Sequence, residues 1–181
     1  MIAAALKALH GQPQLTLGPF SLWVHERLPA TEMNDGNILL VTACWDTQDT
    51  QLWTYDETGL HLEELAVWLA EMRSLRDGDA GSASIAIDSV RLGIHRSELD
   101  AFRIHVEFSL SDDWVNWCSA EGGAVIAEVA LEGFTGQCTA LAAAQPIEHG
   151  WVPPWGGTLQ YTNHVAGQLG WPYPPEASDA P

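Results

Sequence analysis

Histidines, cysteines and paired carboxylates are the side chains here that could do chemistry, and their spacing decides how much each can do. The seven histidines, His10, His25, His61, His95, His105, His149 and His164, are scattered, with no HxxxH, HExxH or HxH pairing to build a metal site. His95 and His105 are expected to face each other across a hairpin, on the polar face with Arg91, Arg103 and Glu107. Two arginines beside them disfavour a divalent cation, and cross-strand charge pairing explains the cluster more simply. The three cysteines, Cys44, Cys118 and Cys138, are widely and irregularly spaced without a CxxC, which predicts free thiols in a reducing compartment. Cys44 falls in a strand-like apolar run and Cys138 in a predicted helix, where cysteine serves as a small buried hydrophobe. No GxSxG nucleophile elbow, phosphate loop or GxGxxG fingerprint occurs. The pair Gly122-Gly123 precedes an apolar run and reads as a turn. Neither a metal, a cofactor nor a catalytic residue is expected.

Carboxylates remain. Asp112-Asp113 with Trp114 and Trp117, and Glu121 close by, form an acidic and aromatic loop after the clearest strand. Asp46 and Asp49 lie in a predicted hairpin loop, and Asp56-Glu57 precede the main helix. Paired acids can hydrolyse glycosides, but only when the fold brings two of them into one cleft. The alternative use is contact with a basic protein surface, with Trp114 or Trp117 as a desolvated anchor. A second alternative is a small-ligand enzyme or binding protein with a pocket between sheet and helix.

Charge favours contact with a protein. Of 181 residues, 24 are acidic and seven are lysine or arginine, for a formal charge of -17. No lysine or arginine follows Arg103, while acids continue to Asp179. Such a field repels nucleic acid and anionic membrane and attracts basic partners. The opening MIAAALKALHG is too short and too poorly flanked for a signal peptide, and no apolar run reaches the ~18 residues of a membrane helix. A cytoplasmic location is expected.

The elements that must carry these groups read as α+β. Apolar residues make up 46%, enough for one domain with its own core. Residues 14 to 28 predict one or two strands broken at Gly18-Pro19. Residues 37 to 45 and 50 to 55 predict a hairpin. Leu62, Leu65, Ala66, Leu69 and Met72 recur at helical spacing, with Glu63 and Glu64 at the start, Arg73 and Arg76 near the end and Gly78 beyond. Strands follow at 84 to 88, 90 to 94 and 102 to 110, then one through Val125, Ala127, Val129 and Leu131. Phe134 to Ala144 predicts a second helix. The expectation is an antiparallel sheet of about six to eight strands, packed by one main helix and a C-terminal one. Residues 1–150 should form one domain and 151–181 a Trp/Pro-rich extension with a disordered end. No internal repeat is visible.

The order of segments adds a resemblance. NILLVTACWDTQDTQLWTYDETGLHLEELAVWLAEM leads to the strand pair IAIDSVRLGIHR, the strand AFRIHVEFSL and the closing LEGFTGQCTALAAAQPIEHG. Over roughly residues 34 to 150 this resembles the WapI-type immunity proteins that accompany bacterial polymorphic toxins. The points of likeness are the segment order, the tryptophan-bearing helix and the close at Pro146 and Gly150. The segment after Gly150 departs from it. The resemblance implies a cytoplasmic protein that neutralises a cognate toxin by occluding its active surface, and it brings no catalytic residues. Toxins that cut nucleic acid are basic where they hold phosphate, so an acidic inhibitor suits them.

Overall fold

The computed structural model describes residues 2–30, 36–54, 58–97, 101–110 and 118–147. They form two antiparallel sheets and three helices, an α+β fold. In chain order these are α1 (Ile2–His10), β1 (Leu15–Leu17), β2 (Phe20–Arg27), β3 (Ile38–Asp46), β4 (Gln51–Trp53) and β5 (Thr58–His61). There follow α2 (Leu62–Asp77), β6 (Ser82–Ile87), β7 (Val90–Arg96), β8 (Ala101–Leu110), β9 (Cys118–Ala127) and α3 (Glu128–Ala144). Predicted as one sheet of six to eight strands and two helices, the chain instead divides nine strands between two sheets and adds α1.

The first sheet runs β1-β2-β3, with β4 and β5 both paired to β3. Trp53 opposes Cys44 and Leu60 opposes Leu39, so β4 and β5 act as one interrupted fourth strand. The second sheet is the meander β6-β7-β8-β9. Each sheet is followed by a helix, so the two halves repeat one order although their sequences do not.

Alternation explains the second sheet. Ile85, Leu92, Ile104 and Val106 point inward and are buried; Arg91, His95, Arg103 and His105 point outward. The first sheet is buried on both faces along β3, where Leu39, Val41, Ala43 and Trp45 face the common core. Thr42 and Cys44 face the other way, on the side of α1. There Trp23 Nε1 donates to Gly11 O at 2.9 Å, and His10 and His25 rings lie 4.6 Å apart. A bulge between Val24 and Glu26 is stabilised as Val24 N–H donates to Gln14 Oε1 at 2.7 Å.

Both long helices close the core. Trp68 of α2 meets Phe134 of α3 edge-on at 5.2 Å, and Met72, Leu75, Leu131 and Cys138 fill the space beside them. The interval between sheets and helices is therefore packed with apolar side chains. The predicted end of α2 is where the chain places it: Gly78 takes φ 88° and its N–H closes on Leu75 O. Arg96 strengthens that end by donating to the carbonyls of Leu75 and Arg76 while its guanidinium stacks over Phe102 at 5.1 Å.

At the start of α2, Glu63 is more than a first-turn acid. It is 7% exposed, and Asn37, 2% exposed, donates to its Oε1 at 2.9 Å. Arg27 donates to Asn37 Oδ1 at 2.9 Å and to Pro146 O at 2.8 Å, so one polar network ties β2, β3, α2 and the end of α3.

Two predictions fail around residue 125. The strand read through Val129 and Leu131 ends at Ala127, and α3 starts at Glu128, six residues before the predicted Phe134. Leu131, Phe134, Cys138 and Leu141 are spaced three or four apart and buried together, which overrides the shorter alternation. Gly122-Gly123 is no turn but the middle of β9, for a packing reason given below. Residues 148–181, and with them the Trp/Pro-rich extension, lie outside the described residues.

Candidate partner interface

Of the nine residues singled out for partner contact, the structure describes three. Asp46 ends β3 and is half-buried. Its Oδ2 accepts the Ala3 N–H at 2.8 Å, so this carboxylate pins α1 to the sheet. Burial raises its pKa, but the positive charge and hydrogen bonding of the amino terminus, with the Ala3 N–H bond beside them, outweigh that and hold it below the usual aspartate value. Asp49 is exposed in the turn of the β3–β4 hairpin, where Thr47 Oγ1 accepts Thr50 N–H at 2.9 Å. Glu121 is not in a loop. It stands within β9 on the exposed face of the second sheet, 3.4 Å from His105 Nε2. Asp56, Glu57, Asp112, Asp113, Trp114 and Trp117 lie outside the described residues.

Residues next to 55–57 and to 111–117 both contact the β6–β7 turn. Asp88, at φ 40° in the β6–β7 turn, accepts the Gly59 N–H at 2.5 Å and the Thr58 hydroxyl at 3.4 Å. Aspartate tolerates this left-handed backbone better than most residues. A Cβ on Gly59 would come within 2.8 Å of Asp88 Oδ2, so glycine permits the approach. On the same turn, Ser109 N–H donates to Ser89 O at 2.7 Å. The chain thus enters β5 after Asp56-Glu57, and leaves β8 towards Asp112-Asp113, beside one rigid hairpin.

Charge is divided unevenly between the framework and its connections. Eleven of the 24 acids, and none of the seven lysines and arginines, fall in the segments outside the described residues. Three of the framework's bases have partners within it: Arg27 and Arg96 donate to main-chain carbonyls, and Arg76 pairs with Asp77 at 2.8 Å on the surface. On the exposed sheet face Arg91 approaches Glu107 at 4.0 Å, as the expected cross-strand pairing requires. His95 and His105 share that face but do not face each other as expected, because the β7–β8 register sets them opposite Arg103 and Gly93 respectively. Among the described residues no group of three histidines, cysteines or acids is placed to hold a metal ion.

Cys44 and Cys138 are buried free thiols, as their contexts predicted. Burial pushes both up to about 12, which leaves them protonated and unreactive at neutral pH. What the sequence does not reveal is the position of β9 at the border of its sheet. Edge position follows from strand order, and alternation alone carries no sign of it.

No known sequence family matches the chain, and no curated protein matches it. Among solved structures, a chain described as crystal structures of Trypanosoma bruciei MRP1/MRP2 aligns over 81% of this chain and 96% of its own length. The two are 11% identical, with a TM-score of 0.41. That likeness decides nothing about function. No helix among the described residues is long and apolar enough to cross a membrane.

Proposed function

We propose that this chain is an immunity-type inhibitor, a cytoplasmic protein that binds a cognate bacterial toxin and neutralises it by covering its active surface. It works by binding and not by catalysis. The observation that supports this best is the rooting of two acidic connections, at 55–57 and 111–117, on either side of the Asp88-Ser89 turn. Acids that depart from one rigid place can act on one partner surface, whereas acids scattered over a sphere cannot. The acids of these two connections, Asp56, Glu57, Asp112 and Asp113, have no lysine or arginine among them to neutralise them. The partner they suit is a basic protein, such as a toxin that holds nucleic-acid phosphate. Nucleic acid itself and anionic membrane carry the wrong sign. Thiols buried as Cys44 and Cys138 are buried need no oxidising compartment.

The test is co-expression with the toxin-like product of the neighbouring upstream gene. The proposal expects survival of the host and a stable complex on size exclusion. Loss of viability with no complex, for every adjacent toxin-like product, removes it.

A further inference from the structure

Among the described residues strand β9 is an edge. All ten of its residues pair with β8 in unbroken register, and among the described residues no strand lies on its other side. Which of its main-chain groups face outward follows from two hydrogen bonds. In an antiparallel strand each residue points its N–H and C=O to the same side, and successive residues alternate. Arg96 N–H reaches Gly81 O across β6–β7, and Ser109 N–H reaches Ser89 O on the β7 side of β8. Odd-numbered residues of β8 therefore bond towards β7, and even-numbered ones towards β9. Their partners in β9, Ala120, Gly122, Ala124 and Ile126 among them, spend their main-chain groups on β8. Glu121, Gly123 and Val125 turn theirs to the open edge.

This edge lacks the usual protection. Natural edges carry lysine, proline or a bulge, and CSAEGGAVIA has none of them. Five of its ten residues are alanine or glycine, so another backbone can come close. Two of the large apolar side chains left in solvent sit at its end, Val125 at 63% and Val129 at 74% exposure. The surrounding charge is mostly acidic: Glu121, Glu128 and Glu132 are exposed, against Arg103, which stands opposite Val125, and no lysine or arginine occurs later in the chain.

We infer that β9 accepts an extended basic segment of a protein partner as a fifth strand of this sheet. Main-chain hydrogen bonds from Glu121, Gly123 and Val125 supply the register, Val125 the apolar contact, and the glutamates the preference for lysine or arginine. This gives the binding mode of the inhibitor and rests on that reading for its partner.

The probe is a capped eight-residue peptide alternating lysine and valine, added to the full chain while amide exchange is followed residue by residue. In the chain alone, the amides of Glu121, Gly123 and Val125 should exchange quickly, and those of Gly122 and Ala124 slowly. Saturating peptide should slow the outward set at least tenfold and leave the inward set unchanged. A glutamate-valine peptide should protect nothing. Val125→Pro removes one outward donor without touching the β8 ladder, and Val125→Lys sets a like charge against the incoming strand; both should abolish the protection. Three results overturn the inference: unchanged outward amides at saturation, equal protection by the glutamate peptide, or outward amides already slow in the chain alone. The last would mean that the chain itself, or a second copy, fills the edge. If Val125→Lys folds normally and still rescues cells from the toxin, the edge inference falls while the inhibitor stands. If the peptide protects β9 but the unaltered chain rescues nothing, the reverse holds.

Discussion

A Cβ on Gly122 would lie 2.6 Å from Cε2 of the Trp45 indole, so the tryptophan of the first sheet rests directly on the backbone of the second. Trp45 is buried and ring-shaped and cannot swing aside like a flexible chain end. Gly122→Ala should therefore destabilise by about 1–3 kcal/mol, through overpacking, in a denaturant titration. Gly123→Ala, with no side chain within reach of its added carbon, should cost much less. The sequence invited a turn here because paired glycines usually mark one. The true cause is a side chain 77 positions earlier, which no local pattern can show. Asp46 teaches the same lesson in charge. It reads as a loop acid for a partner, yet it accepts a hydrogen bond from α1. Because its folded pKa lies below the ordinary value of about 3.9, its contribution is complete above that pH and is lost as pH falls through the folded value. Wild type should thus lose stability relative to Asp46→Asn as pH falls below about 4, and pH-dependent melting curves would check it.

Elements were legible where pattern and end chemistry agreed. In α2 the apolar spacing, the early glutamates and the closing Gly78 all point one way, and its bounds follow. The β3–β4 hairpin was legible from its polar loop, and β6, β7 and β8 from their alternation between turn residues. The start of α3 was not, since Val125, Ala127, Val129 and Leu131 satisfy a two-residue period across a boundary that lacks a capping side chain at Ala127. The N-terminal helix was hidden because none of its residues is fully buried and its tie, Asp46, is 43 residues away from Ala3. Arg96 carries the prediction at this scale. Its guanidinium closes the carbonyl end of α2 and covers Phe102, so Arg96→Ala should cost about 1–2 kcal/mol by chemical denaturation. Arg96→Lys, which keeps the charge but loses the planar fork, should recover only part of that.

At the scale of the molecule, α+β was readable and the division into two sheets was not. Both sheets alternate in the same way, and it takes contacts such as those of Trp45 with Gly122 and of Asp88 with Gly59 to show that one packs on the other. The candidate interface divides similarly. Its acidity is plain from composition, whereas the common root of 55–57 and 111–117 depends on a hydrogen bond 29 residues long in sequence, from Gly59 to Asp88. With a net charge of -17, the chain should attract a basic partner over distances of about a Debye length, ~10 Å at 0.1 M salt. The association rate constant with the captured toxin, measured by stopped flow across ionic strength, tests this most directly. The account predicts a rate that falls at least tenfold between about 0.02 and 0.5 M salt, and that falls less steeply for Asp112→Lys/Asp113→Lys. A rate independent of salt for the unaltered chain would contradict it.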